Sequence, residues 1–315
     1  MPEIGIALSS EDHGPNDLVE QAKMAEQAGF SSVWVSDHFH PWVSAQGHSP
    51  FVWSVLGGVA AATGLRAGTG VTCPSVRIHP AIVAHAAATA AVMLDGRFFL
   101  GVGTGEALNE HILGDVWPSL DVRLEMLEEA VEVIRLLWQG GSQSHYGGYY
   151  TVENAQLFDL PDQPTPIYMS AFGEKALSSA ARIADGYVGT SPDADLVKQY
   201  GELGGSGPKL AGIKCAYAPE AAEARRLVHE LWPNMGLPGE LSQILPTPAH
   251  FEQAASLVTE EMVADSIPTG ADPDDYVASI TEYAEAGYDE IYIHNIGPHH
   301  REFFEFFAQK VRPQL

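Results

Sequence analysis

The stretch SDHFHPW, residues 36–42, follows the apolar run FSSVWV and brings three kinds of chemistry to one place. His38 carries an imidazole that titrates near neutrality and can take or give a proton. Asp37 can orient a ring or accept a hydrogen bond from a ligand, and Trp42 offers an apolar wall with a donor edge. One such residue at a strand end often does no more than cap the next helix. Three together favour a proton-handling site centred on His38.

A second glycine-bearing stretch, FLGVGTGEALNE at 99–110, carries Gly101, Gly103, Gly105 and Glu106. Its glycines alternate, which is the wrong spacing for a dinucleotide fingerprint. Such glycines instead let a flat ligand lie against the backbone. Glu106 opens the following helix, where it serves either the helix dipole or as a second acid–base group. In SAFGEKALSSAARIADG, 170–186, the chain passes through Gly173 into a helix whose first N–H groups, with Lys175 nearby, suit an anion.

Composition sharpens that last point. With 41 acidic against 16 basic residues, the chain repels anions globally, so an anionic ligand must be held by local donors. The same balance argues against a nucleic-acid or anionic-membrane surface. Two cysteines, Cys73 and Cys215, provide neither a disulfide framework nor a thiolate metal site. His79 and His85 have the wrong spacing for a metal pair, no HExxH occurs, and HNIGPHH lacks an evident carboxylate partner, so no metal is expected. Cys73 reads as a small buried filler. No leader and no apolar run of roughly 18 residues is present, so the expectation is a cytoplasmic enzyme of small molecules.

The elements that position these groups alternate. Strand-like runs IGIAL, SSVWV, LRAGTGV, RFFLGVG, PIYMSA, GYVGT, GPKLAGIKCAYA and YDEIYIHN are separated by helical patterns, with a hairpin-like segment, YGGYYTVENAQLFDL, in the middle. Eight such pairs predict an α/β fold of the (β/α)8, TIM-barrel type, in a single domain spanning 1–315. Residues 232–250, rich in turn residues and leading into helical sequence at 251–264, are expected to cap the mouth. Active sites of such barrels lie at the C-terminal strand ends. Those ends carry Ser9, Ser10 and Glu11; Asp37, His38 and Trp42; Val71, Thr72 and Cys73; Thr104, Gly105 and Glu106; Ser170 and Ala171; Thr190 and Ser191; His294 and Asn295.

With those residues in place, the sequence resembles the coenzyme F420 (deazaflavin)-dependent branch of the luciferase-like oxidoreductases, which includes sugar-phosphate and secondary alcohol dehydrogenases. The resemblance is carried by SDHFHPW, GHSPF, FFLGVGTGEALNE, RLEMLEEAVEVIRLLW and ADGYVGTS. It implies a luciferase-like TIM barrel, a homodimer, and F420 bound across the barrel mouth. It also implies that Asp37 contacts the deazaflavin, His38 accepts the substrate hydroxyl proton, Trp42 walls the reacting centre, and Glu106 and Glu11 are further active-site carboxylates. Cofactor contacts are implied for Val71, Cys73, Thr104, Gly105, Asn109, Phe172, Gly173, Lys175 and Ala176, and a cis peptide for Gly70–Val71.

The implied reaction is hydride transfer between a hydroxyl-bearing carbon and the deazaflavin. The same groups would also serve a reductase of a C=C, imine or carbonyl bond. The resembling sugar-phosphate enzymes hold phosphate with cations, and one of those positions falls here on Asp193, just past the matching Thr190 and Ser191. The others fall near Gln253 and Ser279. A carboxylate in place of a phosphate-binding cation turns attraction into repulsion, so a non-phosphorylated alcohol is the expected substrate.

Overall fold

The computed structural model describes all residues, 1–315. Eight parallel strands close into a barrel: β1 (Glu3–Leu8), β2 (Ser32–Val35), β3 (Arg66–Thr69), β4 (Phe98–Val102), and then, beyond an antiparallel hairpin of β5 (Gln143–Tyr146) and β6 (Thr151–Ala155), β7 (Ile167–Ser170), β8 (Gly186–Gly189), β9 (Lys209–Cys215) and β10 (Glu290–Asn295). The barrel closes where β1 pairs with β10, in register Glu3 with Glu290 through Ile6 with Ile293. All eight expected strand runs are barrel strands, and the hairpin lies where its turn residues placed it.

Each strand alternates its side chains between two cores. Outward residues such as Ile6, Leu8, Val33, Val35, Ala211, Ile213, Ile291 and Ile293 pack on the helices in the main hydrophobic core. Inward residues Trp34, Phe99, Tyr168, Val188, Leu210 and Tyr292 form a separate plug. Trp34 stacks on Tyr292 with ring centroids 4.2 Å apart. Below them the Arg66 guanidinium lies over Phe99 and pairs with Glu290 at 2.6 Å. Above Trp34 the inward positions shrink to glycine: a Cβ on Gly70 or Gly212 would come within 3 Å of the indole. That small-residue layer gives the mouth a flat base.

Helix starts follow from local chemistry. Pro15, Pro80, Pro248 and Pro273 each open a helix, and His79, Thr247 and Asp272 cap three of them by accepting from backbone N–H groups. The helix Pro273–Ala286, absent from the sequence-based element order, carries the full set of signals: Asp272 as cap, Pro273 at the start and Gly287 in the left-handed region at the end. The expected helix at 251–264 is two helices, Pro248–Ala255 and Glu260–Ala264. The break lets Val258 turn into an apolar cluster with Trp232, Val263 and Ile296.

This insertion packs over the mouth. Phe251, fully buried with Val43 and Leu108, abuts Trp42 edge-to-face at 5.1 Å. Burying one such ring contributes about 1.5–3 kcal/mol, enough to fix the loop that carries His38 and Trp42. No helix is long and apolar enough to cross a membrane.

Candidate active site

The loops after β1, β2 and β4 converge on His38. Its Nε2 lies 3.2 Å from Glu11 Oε1, and both side chains are largely buried. The other oxygen of Glu11 accepts hydroxyl hydrogen bonds from Ser9 at 2.9 Å and Ser36 at 2.6 Å. Glu11 is therefore held in one orientation by two donors, with its free oxygen turned to the imidazole. On the opposite ring edge, His38 Nδ1 lies 3.0 Å from the His40 carbonyl and 3.2 Å from Asn109 Nδ2. A proton accepted at Nε2 would be shared with a carboxylate while Nδ1–H donates to a carbonyl, which is the arrangement a proton acceptor needs.

Asn109 is the hub of the site. Its amide NH2 donates to Glu106 Oε2 at 3.1 Å, and its carbonyl oxygen accepts from the backbone N–H groups of Phe39 and His40. Glu106 stands at the start of a four-residue helix, Ala107–Glu110, and makes no side-chain cap. Its carboxylate is spent on Asn109, which ties Glu106 to the loop that carries His38.

Asp37 points the other way. Its two oxygens accept from Thr72 Oγ1 and Arg77 Nη2, both at 2.8 Å. Arg77 in turn meets Glu110, which also accepts from the Arg77 backbone N–H at 2.6 Å. Burial pushes the Glu110 carboxyl up to about 7, against the pull of Arg77. Arg77 escaped sequence reasoning; the available signal was a lone basic residue in a mouth loop of a very acidic chain.

The wall between β3 and β4 is smooth. The Gly70–Val71 peptide is cis, at the position the resemblance implied. Gly101 and Gly103 have no room for a Cβ because Thr69 and Val71 fill it. Gly105 adopts φ 75°, and a Cβ there would meet the Cys73 sulfur at 2.6 Å. Cys73 itself is buried against the Ser75 hydroxyl at 2.9 Å, and burial holds its thiol well above the ordinary range. Thr104 is half-buried at the rim beside Gly105.

Further round, the helix Glu174–Ile183 begins at Gly173 with no side-chain cap. Gly173 is exposed and a Cβ there would meet nothing within 4 Å, so this helix start is open to solvent. Phe172 is 58% exposed beside them. Lys175 is exposed and pairs with Asp121 at 2.6 Å, while Ala176 is half-buried. A flat glycine wall next to an uncapped helix start fits a planar ring with an anionic side chain.

The remaining expected positions separate. Thr190 is exposed, and its carbonyl accepts from Tyr283. Asp193 caps the helix Ala194–Glu202, accepting from the N–H groups of Asp195 and Leu196. His294 lines the mouth and lies 3.1 Å from Asp12, whose Oδ2 also accepts from Trp232. His299 meets Glu223 and His300 meets His13, so the three histidines of HNIGPHH have three different partners. His40 joins the site through its backbone carbonyl; its ring faces the Leu108 carbonyl.

The fold and this mouth define a family. The model of the luciferase-like monooxygenase family matches residues 1–290, and the chain belongs to that family. Among curated relatives, the F420-dependent glucose-6-phosphate dehydrogenase of Tsukamurella paurometabola is 36% identical, over 99% of this chain and 98% of its own length. The enzyme of the same name from Microbacterium testaceum is 34% identical, over 99% of this chain and 96% of its own length. Among solved structures, an F420-dependent secondary alcohol dehydrogenase in complex with an F420–acetone adduct is 30% identical, with a TM-score of 0.90 over 98% of this chain and 97% of that one.

Proposed function

We propose that this chain is a coenzyme F420-dependent dehydrogenase that oxidises a non-phosphorylated alcohol, with His38 receiving the hydroxyl proton. The observation that carries this reading is the His38 imidazole held between Glu11 and the His40 carbonyl at the end of the barrel, beside the glycines of β4. The relatives named above are F420-dependent enzymes that act on CH–OH donors, which supports the cofactor and the reaction class.

F420, when bound, supplies the hydride acceptor. The chain's residues do the rest. The β3–β4 wall around Val71, Cys73, Thr104 and Gly105 receives the ring, with Asp37 held behind it by Thr72 and Arg77. The uncapped helix start at Gly173–Ala176, with Phe172 and Lys175, receives the anionic side chain. Trp42, 5.0 Å from the His38 ring, excludes water from the reacting carbon. His38 takes the proton at Nε2, and Glu11 stabilises the resulting charge at 3.2 Å.

One position supports a substrate without phosphate. The mouth carries Asp193 where the resembling sugar-phosphate enzymes carry a cation, and its carboxylate is already committed to a helix start. A homodimer is supported by the helices Val52–Ala62 and Pro80–Met93, which are apolar nearly all round and leave Ile82, Val92 and Met93 exposed. Fluorescence titration with F420 and with FMN tests the cofactor: tight binding of F420 alone is expected, and preference for FMN would overturn it.

A further inference from the structure

Along β9, Leu210 belongs to the interior plug and Gly212 lies against Trp34, so alternation turns Lys214 inward, one layer above the indole. Its neighbour across the ladder is His294 on β10, also a mouth residue. The barrel order β1-β10-β9-β8-β7-β4-β3-β2 puts β9 opposite β3, so Lys214 faces the glycine wall across the mouth.

The ammonium has no protein acceptor there. Lys23, Lys175, Lys198 and Lys209 each pair with a carboxylate, and Lys310 is exposed on the surface. Lys214 makes no ion pair or hydrogen bond; its contact is the face of Trp232, 4.8 Å from Nζ to the ring centroid. Glu11 and Asp12 are the carboxylates that act on it from a distance, while burial pulls its pKa below the usual lysine value. Lys214 is half-buried at the mouth, so its three N–H donors, without a protein acceptor, are open to an oxygen from outside the protein. The nearby carboxylates, Glu11 and Asp12, make a neutral oxygen a better occupant than an anion.

We propose that Lys214 is a specificity-determining residue that donates to a second, neutral oxygen of the substrate, a hydroxyl or carbonyl apart from the one oxidised, so that the preferred substrates are polyols or hydroxyketones rather than simple secondary alcohols. This rests on the F420-dehydrogenase reading for its chemistry but on the geometry of β9 for its contact. His38 removes the proton of the reacting hydroxyl, and the hydride passes to oxidised F420; Lys214 exchanges no proton and aligns the far end of the molecule.

The test compares butan-2-ol with butane-2,3-diol and glucose on the wild type, K214M and K214R, with F420 as acceptor. In the wild type kcat/KM favours the oxygen-rich pair. K214M loses about 10- to 100-fold of kcat/KM on the diol and glucose, mostly through KM, and stays within about twofold on butan-2-ol. K214R keeps the preference, and the F420 dissociation constant is unchanged in both variants. Equal losses on all three alcohols, or no loss on any, would overturn the assignment. If F420 binds but no alcohol turns over, the dehydrogenase reading fails separately. Calorimetry of the F420-loaded protein then decides Lys214: tighter binding of the diol than of butan-2-ol that disappears in K214M supports the contact, and equal binding overturns it.

Discussion

Glu11 and His38 come from loops after different strands, yet Glu11 Oε1 lies 3.2 Å from His38 Nε2 and is fixed there by the hydroxyls of Ser9 and Ser36. A carboxylate so held stabilises an imidazolium without moving. Glu11→Gln keeps the shape and removes the charge, so kcat on a secondary alcohol should fall about tenfold or more while F420 affinity stays the same. Stopped-flow single turnovers give the comparison directly, and an unchanged hydride-transfer rate would show that Glu11 does not support His38.

Asn109 joins Glu106, His38 and the backbone of residues 39 and 40 through one side chain. Asn109→Ala leaves the Glu106 carboxylate and two N–H groups without their partner. The expected result is a loss of about 1–3 kcal/mol in stability by denaturant titration, together with a lower kcat. Full activity in that variant would uncouple Asn109 from catalysis.

Arg77 neutralises Asp37 and Glu110 behind the proposed ring wall. Arg77→Met strands both buried carboxylates and is expected to cost about 3–5 kcal/mol, read as a lower denaturant midpoint. Glu110→Gln in the same background should recover part of that loss, because it removes one of the stranded charges. No recovery would mean that the two carboxylates do not compete for the same cation.

His13 and His300 meet at 3.0 Å in the interior beside β1, and burial pushes them down to about 4 and about 3. Both are neutral in the folded protein below the pH at which the unfolded chain protonates them. The unfolded state then binds more protons, so stability should fall as pH drops from about 6.5 toward 4. The double variant His13→Leu/His300→Leu should flatten that slope. A denaturation midpoint in the wild type that does not change across this window would contradict the prediction.

Asp193 caps the helix Ala194–Glu202 with two hydrogen bonds. Asp193→Ala should cost about 1 kcal/mol of stability and leave glucose 6-phosphate a poor substrate, since removing the carboxylate supplies no cation. Efficient turnover of glucose 6-phosphate by the wild type would reverse the substrate assignment.

The barrel was legible because each strand is a short apolar run between turn residues, and the eight runs appear as eight barrel strands. The helix Pro273–Ala286 is hard to read from sequence despite its caps, because its polar, acidic surface face obscures the apolar period of Tyr276, Ile280 and Tyr283. Strand ends pointed to Glu11, His38 and Glu106, and the structure brings these three to one end of the barrel. Their pairings were not legible: Arg77 with Asp37, or Asn109 between Glu106 and His38, depends on loops meeting across the mouth. Lys214 stands near the end of β9, where sequence shows only a basic residue; its inward direction needed Gly212 and Leu210 as references.

The most direct test is the absorbance of oxidised F420 when a secondary alcohol is added to the wild-type protein and to His38→Ala. The wild type should consume oxidised F420, and the variant should do so about 100- to 10,000-fold more slowly with F420 still bound. No consumption by the wild type, or an undiminished rate in the variant, would contradict alcohol oxidation through His38.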